Sequence, residues 1–377
     1  NCGNTGSAEI SITRDETAPE ITGIASSTDP VREKIWTWSA NEKAEFRYDV
    51  NQNSNHVFAE DAQFEPTSSA SLQDVEGTWY LHVQAKDAVG NVGEVTTVSA
   101  LLDNTPPVAE LHGLPSSPSK KSNLTLNVNG TGVTSYKYKL NDRDWSNASA
   151  VNSSLQFTDL SDGEQTLLVI GGDRAGNWQP KSRATKASWV VDTTAPAPGK
   201  VEIAGLPEET SSAGSINISV SGEEVARYRY AIDGGEYSAP IAISETASID
   251  LSELSQGEHS IAVQVADQLG NWQQSEDVFY KIWTKDSIAP EITGISSSPD
   301  PVQEKTWTWS ANENATFRHA VNQNSNYVFA ENTPFNSTTK TSLQDKGGTW
   351  YLHVQARDAA GNVGEVTTVS ALLDNTP

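Results

Sequence analysis

The sequence carries a single cysteine in 377 residues, no methionine, and 25 Lys and Arg against 49 Asp and Glu. One thiol forms no internal disulfide framework, so whatever folds here must stand on hydrophobic cores alone. A net charge of −24 repels nucleic-acid phosphate and anionic lipid, which excludes nucleic acid as a partner class and makes cations the natural small ligands. No apolar run approaches the ~18 residues of a membrane-spanning helix, so no membrane insertion is expected. The signatures HExxH, GxSxG and CxxC and a phosphate-cradling glycine loop are all missing, and the histidines are scattered as His56, His82, His112, His259, His319 and His353. Nothing marks a catalytic carboxylate pair, and the chain reads as non-enzymatic.

What the sequence does have is repetition. Residues 18–106 begin APEITGIASSTDPV and end TVSALLDNTP; residues 289–377 begin APEITGISSSPDPV and end identically, 271 positions later without a gap. Roughly three quarters of the paired residues are the same. Two more divergent units between them keep the same punctuation. The phrase DxxGN recurs as DAVGN (Asp87 to Asn91), DRAGN (Asp173 to Asn177), DQLGN (Asp267 to Asn271) and DAAGN (Asp358 to Asn362). Each is followed by a strand-like run and then a linker opening on Asp103, Asp192, Asp286 or Asp374.

Within a unit the apolar period is 2, the strand signature. In the second unit strands are expected at residues 109–114, 123–129, 135–140, 154–160, 164–172 and 186–191; the third repeats them in KVEIAGL, SINISVS, ARYRYAI, ASIDLSEL, EHSIAVQVA and DVFYKIW. Six or seven short strands in about 90 residues predict an all-β chain of tandem immunoglobulin-like β-sandwiches. The expected division is the last strand of a preceding domain plus linker (1–17), then domains at 18–105, 106–194, 195–288 and 289–377. Short Asp/Thr/Pro linkers with Pro19, Pro106, Pro107, Pro196 and Pro290 should be stiff, giving an extended rod of about 120 Å per 271-residue cell. The opening NCGN matches the end of a DxxGN turn, which makes Cys2 a variable turn position and residues 7–14 a last strand awaiting partners.

DxxGN admits two readings. Asp bonds the backbone two residues on and Gly-Asn tolerates positive φ, which makes a tight turn. Alternatively, sandwich geometry brings the entering linker, the loop after the second strand and the loop before the last strand to one pole. That converges Asp15, Asn41, Glu42, Asp87 and Asn91 in the first unit, and Asp286, Asn312, Glu313, Asp358 and Asn362 in the fourth. The third offers Asp192, Glu223, Glu224, Asp267 and Asn271. The second offers Asp103, Asp173 and Asn177 with no carboxylate after its second strand, so its site is expected to be the weakest. Several carboxylates with amide and backbone oxygens suit calcium, a hard cation that takes six to eight oxygens.

Trp36 and Trp38, matched by Trp307 and Trp309, align with Leu126 and Val128 and with Ile218 and Val220, and are expected in the core. The third strand carries Phe46/Tyr48, Tyr136/Tyr138, Tyr228/Tyr230 and Phe317/His319 at i, i+2, expected over the core. Arg47, Lys137, Arg229 and Arg318 between them should then pair with carboxylates outside. Trp178 and Trp272 are surface candidates.

LSDGEQTLLVIGGDRAGN, LSQGEHSIAVQVADQLGN and YLHVQAKDAVGNVGEVTTVSALLDNTP resemble the bacterial immunoglobulin-like tandem repeats of large secreted surface proteins and adhesins. The resemblance implies an extracellular, cell-surface location and a structural stalk whose acidic joints hold calcium. Surface glycans or a host or biofilm matrix would then be met through regions outside this chain. Two other readings stay open: a homopolymeric fibre or sheath with copies of itself as partners, and the carbohydrate-binding accessory region of a secreted polysaccharide-active enzyme.

Overall fold

The computed structural model describes residue 10 and residues 13–376. Cys2 and most of the strand expected over residues 7–14 lie outside the described residues. The chain divides into two compact units, residues 1–193 and 194–377. Each holds two all-β sandwiches, and each sandwich closes on its own apolar cluster. Among the described residues no helix is long and apolar enough to cross a membrane.

Alternation builds these cores. Leu124–Asn129 buries Leu124, Leu126 and Val128 and exposes the residues between; Ser215–Gly222 does the same with Ile216, Ile218 and Val220. Each such side chain is worth about 1.5–3 kcal/mol when fully buried. In the third sandwich one sheet is Val201–Ala204, Ser215–Gly222 and Ala247–Asp250. The other is Thr210–Ser211, Phe279–Lys285, Gly257–Ala266, Arg227–Ile232 and Ile241–Ala242. The chain crosses from the first sheet to the second early, so Thr210–Ser211 runs parallel to the last strand while every other pair is antiparallel. In the first and fourth sandwiches Ser27–Val31 and Ser298–Val302 play that parallel part beside Thr96–Leu102 and Thr367–Leu373. Two facing, largely antiparallel sheets with this crossing give the immunoglobulin-like sandwich.

Trp36, Trp38, Trp307 and Trp309 lie in the core, as their alignment with Leu126 and Val128 predicts. The aromatic pairs lie over the core as expected, with unequal burial. Phe46, Tyr136, Tyr228 and Phe317 are buried, but Tyr48 is 42% exposed and Tyr138, Tyr230 and His319 are only half-buried. The second members still pack on the core, Tyr138 and Tyr230 against its cluster, Tyr48 with its ring centroid 5.3 Å from Trp38 and His319 5.1 Å from Trp309.

The third sandwich holds a buried cation. Lys285 is 5% exposed, and its Nζ donates to the carbonyls of Leu251, Ser252 and Leu254 at 2.5, 3.2 and 2.8 Å. The preceding loop thus becomes a cage for an ammonium in place of an ion pair.

Candidate functional site

At each DxxGN the Asp is the hub of the turn. Asp87 Oδ1 accepts the N–H groups of Val89, Gly90 and Asn91 at 2.6–2.9 Å, and Oδ2 accepts Asn91 Nδ2 at 2.7 Å. The glycine takes φ of +104°, +91°, +82° and +90° at Gly90, Gly176, Gly270 and Gly361, the left-handed region that a Cβ disfavours. Burial works against ionisation of Asp87, yet the bonds from Asn91, Gly90 and Val89 outweigh it and hold the carboxyl below the usual range.

The Asn of the phrase then reaches the linker. Asn91 Nδ2 donates to the carbonyls of Asp15 and Thr17, Asn177 Nδ2 to that of Asp103 at 2.8 Å, and Asn362 Nδ2 to that of Asp286 at 2.9 Å. The same linker aspartates are tied to the sandwich they leave: Asp103 N–H donates to Val31 O and Asp286 N–H to Ser211 O, each at 3.0 Å. One residue is therefore clamped on both sides by its own peptide groups. Packing completes the joint, since a Cβ on Gly93 or Gly364 would come within 2.1 Å of the Pro19 or Pro290 carbonyl. Between the first two sandwiches Arg174 also pairs with Asp29 at 2.8 Å, an exposed contact worth ~0–1 kcal/mol.

Carboxylates gather at this pole. Among the described residues, three acidic groups converge at two places, Asp15/Glu42/Asp87 and Asp286/Glu313/Asp358, with candidate ligand oxygens within 4.8 Å of one another. None of the six forms an ion pair among the described residues. Asp15 and Asp286 each accept one linker N–H at 3.1 Å, from Thr17 and Ile288, and Glu42 accepts no hydrogen bond among the described residues. Burial, and then the charges of Asp286 and Asp358, push the Glu313 carboxyl up. Lone pairs remain on Asp87 Oδ2, on Glu42 and on Asp15.

The amide residues expected as ligands also hold the backbone and the turn. Asn41 Oδ1 accepts Glu20 N–H and Asn312 Oδ1 accepts Glu291 N–H, both at 2.9 Å, while Asn91, Asn177 and Asn362 turn their Nδ2 toward the turn aspartate. In the second sandwich Asp173 and Asn177 form the turn and the clamp without a third carboxylate. In the third, Asp267 and Asn271 form the turn, Glu223 is paired with Lys200, and Glu224 sits at φ +62°. Asp192 belongs to the first compact unit and these residues to the second.

The basic row on the third strand does not meet carboxylates, as expected from sequence, but aromatic faces. Arg47 lies over Phe58 and Phe64, Arg318 over Phe329 and Phe335, Arg229 over Tyr237 and Trp272, and Lys137 over Trp178, all at 4.4–4.8 Å from ring centroids. Gln84, Gln264 and Gln355 accept the arginine Nε at 2.7–2.8 Å. Trp178 and Trp272 are half-buried lids on these cations. The signal legible in sequence was an aromatic directly after GN wherever the third strand has a basic centre in the divergent units.

Histidines divide the chain by pH response. Burial lowers His82, His319 and His353 below the ordinary value of 6.5, whereas bonds to Asp233 and to the Ser255 carbonyl raise His259. A lowered histidine contributes stability above its unfolded value that is lost as pH falls below 6.5; a raised one contributes fully below 6.5 and is lost as pH climbs through its folded value. Hydrogen exchange resolved by peptide should therefore show the first and fourth sandwiches opening more readily at pH 5.5 than at 7.5, with the Gly257–Ala266 strand moving the opposite way.

No family model and no curated protein matches the chain. Among solved structures, immunoglobulin domains 1–5 of Sidekick-1 are similar over 94% of this chain and 80% of that one, at 11% identity and a TM-score of 0.34. Fibronectin(III)-like modules of Clostridium thermocellum CbhA are similar over 46% of this chain and 94% of that one, at 15% identity and a TM-score of 0.31. The sandwich assignment rests on the strand pairing described above.

Proposed function

We propose that this chain is a non-enzymatic structural segment of a longer extracellular bacterial repeat protein, a surface rod or adhesin stalk, with calcium at the joints entering its first and fourth sandwiches. The observation that carries this reading is the two-sided clamp on Asp103 and Asp286, which removes the freedom that a linker between independent domains ordinarily keeps. A spacer is useful in proportion to its stiffness, and here the stiffening is repeated inside both compact units. Calcium fits as the counter-charge for Asp15/Glu42/Asp87 and Asp286/Glu313/Asp358, which no lysine or arginine pairs with among the described residues. In the third sandwich Glu223 is instead neutralised by Lys200. A carbohydrate-binding role draws little support from Trp178 and Trp272, because cations cover their rings.

Small-angle scattering tests the spacer reading. A stiff array should show a maximum dimension above roughly 120 Å. A radius of gyration near the ~21 Å of a compact globule of this length would refute it.

A further inference from the structure

The last strands of the four sandwiches can be compared position by position. Thr96, Thr185, Phe279 and Thr367 stand opposite Val83, Val169, Val263 and Val354 in register. Reading the first, second and fourth positions of each strand gives Thr97 and Ser99 after Thr96, Lys186 and Ser188 after Thr185, and Thr368 and Ser370 after Thr367. The third sandwich has Phe279, Tyr280 and Ile282 there, and they are 40%, 60% and 48% exposed. At these positions three copies carry the polar and charged residues that blunt an exposed strand, and one carries aromatic and aliphatic residues on either side of Lys281, which takes the register place of Val98, Ala187 and Val369.

The backbone beside them is open as well. In the first and fourth sandwiches the N–H of Ser99 and Ser370 is capped by the hydroxyls of Ser26 and Ser297. Ile282 is the register equivalent of Ser99, so its N–H, and that of Tyr280 two residues earlier, point to the same edge. Pairing on that edge begins only at Thr284, with Glu209 and Thr210–Ser211. Among the described residues no strand covers Phe279–Ile282 on this side. Next to this edge lies a cleft of about 340 Å³ between the two sheets, lined by Pro198, Val201, Ile203, Val263, Val278 and Phe279. Glu276 and Asp277 stand at its rim, both exposed and without a basic partner among the described residues.

We infer that the third sandwich captures an extended, basic peptide segment, which adds as a strand along Phe279–Ile282. Main-chain bonds to the N–H of Tyr280 and Ile282 supply register, an apolar side chain enters the cleft, and Lys or Arg meets Glu276 and Asp277. Charge decides the occupant: with a net charge of −24, a second copy of this chain meets repulsion at that rim, whereas a basic peptide is attracted.

The probe is a blocked, fluorophore-labelled hexapeptide, Lys-Val-Thr-Val-Thr-Lys, titrated into the full chain by anisotropy, with hydrogen exchange mapping the protected amides. Binding with protection confined to residues 278–284 is expected. A triple variant, Phe279→Thr, Tyr280→Thr and Ile282→Ser, installs residues that the sister strands already tolerate and should weaken binding at least about tenfold. Glu276→Lys with Asp277→Lys, both at exposed positions, should weaken this peptide and strengthen one ending in Glu. Unchanged affinity in either variant, or protection elsewhere, overturns the proposal. Protection of 278–284 that depends on protein concentration without peptide would overturn it in favour of self-association.

Discussion

Chelating calcium should lower the unfolding midpoint of the first and fourth sandwiches while leaving the second and third unchanged. The asymmetry follows from charge. Asp15/Glu42/Asp87 and Asp286/Glu313/Asp358 each bring three carboxylates together with no paired lysine or arginine among the described residues, whereas Glu223 is matched by Lys200 and the second sandwich offers no third carboxylate among them. A site saturated a hundredfold above its Kd raises the midpoint of a ~90-residue domain on the order of 10 °C. Calorimetry with calcium and with chelator reads it, and Glu42→Gln with Glu313→Gln should remove most of the difference. The variants also separate the two roles of the turn aspartate. Asp87 and Asp358 hold the turn whether or not a cation is present, so substituting them lowers stability even in chelator, while Glu42 and Glu313 matter only for the cation. Equal midpoints with and without calcium would leave the pole as turn and clamp alone.

The architecture was legible because it depends on local pattern. Period-2 alternation in LTLNVN and INISV names the inward residues without any tertiary knowledge, and the four DxxGN phrases mark one turn per sandwich. The pole of carboxylates was legible for a weaker reason: once a sandwich is assumed, its topology alone brings Asp15, Glu42 and Asp87 together from distant positions. What topology does not specify is which lone pairs remain. Asn41 and Asn91, named from sequence as ligands, also fix backbone, Asn41 Oδ1 accepting from Glu20 and Asn91 Nδ2 donating to Asp15, and the Asn91 Oδ1 is left out of these bonds. The arginine–aromatic stacks were misread for a related reason. Arg47 finds Phe58 and Phe64 through an irregular loop whose path carries no periodicity, so a carboxylate on a neighbouring strand was the default partner. The peptide edge shows the opposite situation: the anomaly of Phe279, Tyr280 and Ile282 stands in the sequence, but only the register that equates them with Thr96, Thr97 and Ser99 makes it visible.

Lys285→Met should be among the most damaging single substitutions in the second compact unit, costing roughly 3–5 kcal/mol. Methionine matches the length of lysine and leaves little cavity, so the loss isolates the ammonium itself. The carbonyls of Ser252 and Leu254 then lose their donor, while that of Leu251 keeps only the Leu254 N–H at 3.2 Å, and each orphaned acceptor costs about 1–3 kcal/mol. The equivalent residue is Leu102, Val191 or Leu373 in the other sandwiches, each opposite a glycine on the neighbouring strand as Lys285 is opposite Gly257. An apolar residue is therefore the ordinary occupant, and the third sandwich has replaced it with a cation and rebuilt the adjoining loop around it. Trp283, two residues away in the same core, reports the outcome through its fluorescence during denaturant unfolding. A shift below about 1 kcal/mol would mean that the 251–254 loop re-forms its bonds elsewhere, and that the cage is a consequence of the loop's shape instead of its cause.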